Sequence, residues 1–247
     1  MQVVERLEAV DNVVSGTVQT AVLSNGFTRN LVYYGGLLPY ELYVLPGYFV
    51  SMLLAVWLEE VAPVRFHILP HLLSFSVFLS LKHAVDRQRP GCTVQEELRM
   101  IDPGHCKGKT EYQSFPSGHT GISFALATAL GLEMLVPKNP KLFGLDVSKE
   151  ARIPITVTGA VVASLTSLQR VAGGYHYVGD VTIGAVLGMI IGYVSWNMLA
   201  TLDEDGMLED SKFKLELPAK ILVSLPFAFM LFSFLKDDVW KLTAVQH

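Results

Sequence analysis

The sequence predicts an all-α membrane protein, a bundle of six transmembrane helices with an N-terminal interfacial helical segment at residues 1–37. Composition is the first observation behind this fold: 51% of the 247 residues are apolar and 17% are charged, whereas soluble domains carry about a quarter charged residues. The second is a positive mean hydropathy of +0.39. The third is a series of apolar runs, close to bilayer length, separated by short polar loops.

A soluble helical protein with buried helices is the alternative, but four or more such runs are hard to house in water. No internal repeat or linker divides residues 1–247, so we expect a single membrane-embedded domain. The formal charge of -4 argues against a nucleic-acid partner and leaves the phospholipid bilayer as the expected surroundings. The N-terminus lacks the pattern of a secretory signal, so we expect insertion to depend on internal helices.

The six predicted spans are bounded by charges, prolines or glycines. They cover residues 38–58, 66–82, 119–137, 153–169, 179–201 and 218–235. Several are shorter than about 20 residues, so tilt or snorkelling side chains must complete them. The N-terminal segment is weakly amphipathic and contains Asp11, which favours an interfacial helix over a span.

A first polar cluster follows the second apolar run, in the stretch LKHAVDRQRPGC at residues 81–92. Lys82 and Arg89 are seven positions apart, almost two helical turns, so we expect both side chains on one helix face, with Pro90 ending the helix. Two cations would then point in one direction at a membrane surface. The alternative is ordinary charges at a helix end, with Lys82 paired to Asp86.

A second cluster, SFPSGHTG, begins the third apolar run. Pro116 favours a turn, Ser117 is a preferred N-cap, and Gly118 lets a ligand approach the backbone closely. The first amides of the helix, together with its dipole, form an anion site. The alternative is an ordinary capped helix start with His119 incidental.

The third cluster is QRVAGGYHYVGD, between the fourth and fifth runs. His176 and Asp180 are four positions apart, so the carboxylate can hydrogen-bond one imidazole nitrogen and leave the other for chemistry. Arg170 adds a planar donor suited to phosphate oxygens. By itself, a structural histidine at an interface explains this pattern equally well.

Alternating helix direction places all three clusters on the same membrane face. A pocket there would hold three cations, a helix N-terminus and two histidines. A phosphoryl group needs such surroundings, because its transition state carries charge on oxygens that positioned donors stabilise.

The three motifs resemble those of the phosphatidic acid phosphatase type 2 superfamily, which includes the vanadium-dependent haloperoxidases. Lys82 is followed by six residues and Arg89-Pro90, the second motif is Pro-Ser-Gly-His, and the third is Arg170, five residues, His176, three residues and Asp180. Gln169 stands where the family usually has serine. The motifs span residues 82–180 of the chain.

The resemblance implies a role for each motif residue. His176 would be the nucleophile that forms a phosphohistidine, Asp180 would hold its tautomer, and His119 would protonate the leaving oxygen and then activate water. Five groups would bind the phosphate oxygens: Lys82, Arg89, Ser117, Gly118 and Arg170. The scheme needs no metal and no cofactor.

Residues 91–114 form the longest polar loop and are expected beside the site, where they could select the headgroup. The only two cysteines, Cys92 and Cys106, lie in this loop. A disulfide between them would close about fifteen residues, stabilise the loop by about 3 kcal/mol and require an oxidising compartment. Two free thiols are the alternative.

The leading hypothesis is therefore a metal-independent phosphatase acting on a lipid phosphate monoester or a polyprenyl diphosphate, with its active site on the exoplasmic face. A lipid-to-lipid phosphotransferase with the same intermediate is a rival, and so is a non-enzymatic membrane protein that binds lipid phosphates. A vanadate-dependent oxidase fits less well, since the relatives with that chemistry are soluble.

Overall fold

The computed structural model describes residues 2–40, 45–58, 62–93, 106–142 and 145–204, which form seven α-helices and one short strand pair. The helices are α1 (Gln2–Leu23), α2 (Gly26–Pro39), α3 (Leu45–Leu58), α4 (Leu69–Ala84), α5 (Gly118–Leu135), α6 (Lys149–Ala172) and α7 (Val178–Glu204). Strand β1 (Lys141–Leu142) pairs antiparallel with β2 (Leu145–Asp146). The helical class predicted from the sequence is confirmed for these residues.

Six transmembrane helices are not confirmed. Three helical stretches in the described residues are long and apolar enough to cross a membrane: Val64–Ala84, Lys149–Ala172 and Val178–Ala200. The first of them joins a π-helical turn, Val64–Ile68, to α4. The predicted span at residues 38–58 is represented by the shorter α3, and the one at residues 218–235 lies outside the described residues.

Helix α5 corresponds to the predicted span at residues 119–137, but it is a buried central helix with many polar residues. It packs against α4, α6 and α7. Glycines of α7 bring it close to α5: a Cβ atom at Gly188 or Gly192 would overlap the carbonyl oxygens of Gly121 and Ala125. Because α7 has glycine at these positions and α5 has glycine or alanine, the two backbones come close, as in small-residue interfaces of membrane proteins.

The N-terminal segment is more than a surface helix. Asn25 caps α2 by accepting a hydrogen bond from the Phe27 amide at 2.8 Å, which turns the chain between α1 and α2. Helix α2 packs on α6, and α1 contacts both α6 and α7. Gln19 of α1 donates a buried 2.9 Å hydrogen bond to the Ala172 carbonyl at the end of α6. Residues of α1 are therefore held against the helix ends that carry the third motif.

A buried ion pair lies toward the other end of α5. Arg65 donates two hydrogen bonds of 3.0 Å to the two oxygens of Glu133, and the Trp196 indole donates a third at 2.8 Å. Glu133 is fifteen positions after Gly118, so about 22 Å of helix separate this ion pair from the start of α5. The bundle thus has a closed ionic contact at one end and the three motifs at the other.

Candidate active site

Helix α4 ends at Ala84, and Val85 is extended at φ -128° and ψ 104°. The expectation that Lys82 and Arg89 share one helix face is therefore wrong. The chain between them is extended because its backbone pairs with a later segment: the Arg89 amide donates to Glu111 at 2.8 Å, and the Ser114 amide donates to Arg87 at 3.0 Å. This pairing brings the first motif next to the second.

Backbone carbonyls hold the two cations of the first motif. The Lys82 ammonium donates to the Gln113 carbonyl at 2.7 Å. The Arg89 guanidinium donates to the carbonyls of Thr110 at 2.8 Å and Tyr175 at 3.0 Å. Burial and the nearby Arg170 lower the pKa of Arg89 to about 10, so it stays charged at neutral pH. These bonds orient both cations before any ligand arrives.

The second motif begins α5, with Ser117 at the N-cap position and fully buried. Its hydroxyl does not cap the helix as expected; it donates to the Thr120 hydroxyl at 3.0 Å. Its amide donates to the Asp180 carbonyl at 3.1 Å, which ties α5 to α7. Gly118 lies beside Lys82, whose Cε would be 3.6 Å from an added Cβ. The Tyr40 ring stacks on the His119 imidazole with centroids 4.2 Å apart.

His176 lies in the turn before α7 and is buried. Its Nδ1 is 2.6 Å from the Ser114 carbonyl oxygen, which can only accept, so Nδ1 carries the proton. Its Nε2 is 3.5 Å from Nη1 of Arg89 and is left with a lone pair toward the cations. Burial, opposed by Asp180 and reinforced by Lys82 and Arg89, lowers the pKa of His176 to about 3. The imidazole is therefore neutral at neutral pH.

Asp180 does not hydrogen-bond His176 as the spacing predicted. Its Oδ2 is 3.8 Å from Nδ1, an ion-pair distance, because other donors occupy both carboxylate oxygens. Arg87 donates to Oδ1 at 2.5 Å, while the Ser114 hydroxyl at 2.5 Å and the Tyr177 amide at 3.0 Å donate to Oδ2. Ser114 thus fixes the tautomer of His176, and Asp180 supplies a negative charge behind the ring.

Arg170 is buried at the end of α6, with its guanidinium 4.9 Å from the Tyr175 ring centre. Its carbonyl accepts from the amides of Tyr175 at 3.1 Å and His176 at 3.3 Å, so the turn after α6 carries Arg170 and His176 together. The preceding residue, Gln169, is also buried, and its Oε1 has no hydrogen-bond partner within the described part of the chain.

The structure brings all eight proposed catalytic and phosphate-binding residues to one end of the bundle. His119 lies within electrostatic reach of four of them: Arg170, His176, Lys82 and Arg89. Ser117 and Asp180 are joined through the backbone, and Gly118 lies beside Lys82. The three separate motifs therefore form a single cluster.

Three residues of this cluster were not among the sequence candidates: Asp11, Arg87 and Ser114. Arg87 forms ion pairs with Asp180 and, at 2.8 Å, with Asp11, and its guanidinium lies 4.1 Å above the Tyr177 ring. Ser114 stands two positions before Pro116, and that nearness to the motif was the available signal. Nothing in local spacing connects Asp11 to the site.

Cys92 and Cys106 are bonded to each other in the structure. Between them, residues 94–105 of the polar loop lie outside the described residues. The Gly91 amide donates to the Gly174 carbonyl at 2.9 Å, two residues before His176. The base of the loop is therefore attached beside the cluster.

Comparison with known proteins gives one family and two partial relatives. The model of the PAP2 superfamily matches residues 45–204. Lipid A 1-phosphatase of Porphyromonas gingivalis is 34% identical over 88 residues, which are 35% of this chain and 16% of that protein. "Probable diacylglycerol pyrophosphate phosphatase 1" of Schizosaccharomyces pombe is 28% identical over 141 residues, 48% of this chain and 47% of that protein. No solved structure gives a significant match.

The alignments with these two relatives thus span less than half the length of either one, at 16% and 47%. The family match contains all eight of the clustered motif residues, whereas Asp11 lies before its first residue.

Proposed function

Because the chain belongs to the PAP2 superfamily, we propose that it is a metal-independent membrane lipid phosphatase that forms a phosphohistidine. Its substrate is a lipid phosphate monoester or a polyprenyl diphosphate. The names of the two relatives, which act on a lipid A phosphate and on diacylglycerol pyrophosphate, support a lipid substrate.

The observation that carries this proposal is the charge of the cluster. Among the described residues it contains four cations, Lys82, Arg87, Arg89 and Arg170, and two carboxylates, Asp11 and Asp180. Two positive charges are therefore in excess around the neutral His176, and burial makes them costly unless an anion compensates them. A phosphate monoester dianion has the matching charge.

In the proposed reaction, the lone pair of Nε2 of His176 forms a bond to phosphorus while the bond from phosphorus to the leaving oxygen breaks. The protonated ring of His119 gives its proton to that oxygen and becomes neutral. Water then attacks phosphorus and the N–P bond breaks, while His119 takes a proton from the water and inorganic phosphate is released. The cations stabilise the charged oxygens, a task that magnesium performs in other phosphoryl transfers.

The active site is proposed to face the exoplasmic side of the membrane. The bond between Cys92 and Cys106 supports this side, because disulfides persist in oxidising compartments. Labelling of a cysteine introduced at the exposed position Tyr112 with a membrane-impermeant maleimide tests it. Labelling of intact cells supports the exoplasmic side, and labelling only after lysis contradicts it.

Phosphate release by the purified protein in detergent, with a chelator present, tests the function. Phosphatidate, diacylglycerol pyrophosphate and a polyprenyl diphosphate are the substrates to compare. We expect His176→Ala to lower release by about 10³-fold or more, because the nucleophile is lost. His83→Ala is the matched control. It removes an exposed histidine from the last turn of α4, next to Lys82, and should leave release unchanged.

Activity of His176→Ala equal to the parent would contradict the nucleophile, and loss of all activity in chelator would contradict the metal-free reaction. Transfer of labelled phosphate to an added lipid alcohol, in place of release, would favour the phosphotransferase. Substrate binding without turnover would favour the non-enzymatic alternative.

A further inference from the structure

A carboxylate from outside the family match reaches the catalytic cluster. Asp11 lies on α1, and its two oxygens make different contacts: Oδ1 accepts from the Gly179 amide at 2.9 Å, and Oδ2 accepts from Arg87 at 2.8 Å. Gly179 is in the first turn of α7, directly before Asp180. Asp11 therefore contacts two neighbours of Asp180: the residue before it in the chain and the arginine that donates to its Oδ1.

Arg87 is shared between two carboxylates. One of its terminal nitrogens bonds Asp180 and the other bonds Asp11, while its plane lies over the Tyr177 ring. Together, Arg87 and the two carboxylates carry a net charge of minus one. Without Asp11, the charge of Arg87 would neutralise Asp180 alone, and the net charge behind the imidazole would be zero.

That net charge matters at the step that forms the phosphohistidine. His176 is neutral before the reaction, and its Nδ1 keeps the proton that it donates to the Ser114 carbonyl. Bond formation at Nε2 therefore makes the ring positive. The Asp180 carboxylate, 3.8 Å from Nδ1, stabilises this positive charge. This stabilisation is greater when the Asp11 carboxylate compensates part of the positive charge of Arg87.

We propose that Asp11 is a positioning residue that orients Arg87 and the first turn of α7, so that Asp180 faces His176 with its negative charge uncancelled. This inference rests on the proposed function. It makes α1 a part of the catalytic unit, although α1 precedes the region that defines the family.

Other hydrogen bonds also hold α1 on the bundle, and their removal tests whether Asp11 has a purely structural role. Ser15 accepts a hydrogen bond from the Val178 amide at 2.9 Å, and Gln19 donates to the Ala172 carbonyl. Ser15 also donates to Oδ1 of Asp11 at 3.5 Å, so it is not independent of Asp11. Gln19 is eight positions after Asp11, and Gln19→Ala therefore weakens the same interface about two helical turns away from it.

The experiment is a single-turnover reaction in detergent, with the enzyme in saturating excess over labelled phosphatidate. The rate constant at saturation reports the chemistry and does not depend on the fraction of misfolded protein. We expect Asp11→Asn to lower it by about tenfold to a hundredfold, with KM in steady state changed less than about threefold. Asp11→Glu should recover part of the rate, because it restores the charge.

Two controls complete the test. Glu8→Gln removes the same charge from an exposed position one turn earlier on α1, and Gln19→Ala weakens the docking of α1 on the end of α6. Both should keep the parental rate constant to within about threefold.

The inference is overturned if Asp11→Asn keeps the parental rate constant, or if Gln19→Ala or Glu8→Gln lowers it as much as Asp11→Asn does. A larger KM with an unchanged rate constant also overturns it, since Asp11 would then act on binding. A parent protein that is inactive on phosphatidate, diacylglycerol pyrophosphate and a polyprenyl diphosphate would instead contradict the proposed function.

Discussion

The two ends of the bundle both bury charged side chains, but only one end balances them. Glu133 accepts two hydrogen bonds from Arg65 and one from Trp196, so one anion meets one cation. At the other end, the described part of the chain places four cations around two carboxylates. A balanced buried pair is a structural contact, whereas an unbalanced cluster requires an anion from outside. The difference indicates a structural contact at the first end and supports the proposed phosphate site at the second.

The largest expected effect comes from removing one arginine charge at each end of the bundle and comparing the losses of activity. Arg89→Gln should reduce kcat/KM by about 10³-fold, near 4 kcal/mol, because a donor to the phosphate oxygens is lost. Arg65→Gln removes a guanidinium from the balanced end, and the folded enzyme should keep kcat/KM to within about threefold. Phosphate release over a range of substrate concentrations measures both. Similar losses in the two variants would remove the distinction.

A smaller effect concerns stability. Glu133→Gln should lower the free energy of unfolding by about 3 kcal/mol, because the buried Arg65 loses its counter-ion. The double variant Arg65→Met, Glu133→Gln should recover part of this loss, since no unpaired charge remains. Unfolding in detergent, followed by circular dichroism, measures both. If Glu133→Gln unfolds at the same temperature as the parent, the ion pair does not stabilise the bundle.

The smallest effect is a pH dependence at the catalytic end. The folded-state pKa of His176, about 3, is below the ordinary value of 6.5, so between these values the unfolded chain binds a proton that the folded chain does not. The stability from this group is present above pH 6.5 and is lost as the pH falls, by about 2 kcal/mol between pH 6.5 and 5. His176→Asn should lose correspondingly less. Unfolding measured at pH 7 and pH 5 tests this, and equal losses in both proteins would contradict the neutral buried imidazole.

The residues that sequence reasoning found belong to short local motifs. Ser117 and His119 are neighbours in one motif, and the residue type of each indicates its chemistry. The same approach failed where a long-range contact decides the geometry. Arg89 reaches the site through an extended segment that pairs with residues 111–114, and a helical continuation of α4 was the natural local expectation.

Asp11 and Arg87 show the same limit. Both resemble ordinary surface charges in sequence, one in an amphipathic segment and the other near a helix end. Arg87 and Asp11 are 76 positions apart in the sequence, and Arg87 and Asp180 are 93 positions apart. No periodicity encodes such a separation. The six-span count is not confirmed for a different reason: apolar runs indicate where helices form, but the polar residues of α5 also suit a helix buried by protein.

The contact between α5 and α7 has a consequence for engineering. Glycines of α7 let its backbone touch the backbone of α5, and the Ser117 amide bonds the Asp180 carbonyl where the two helices begin. Substitutions along this seam would displace the reactive groups together with their scaffold. Redesign of substrate preference should therefore start at the ring of Tyr40, which covers His119 from a different helical region, and leave the glycine seam intact.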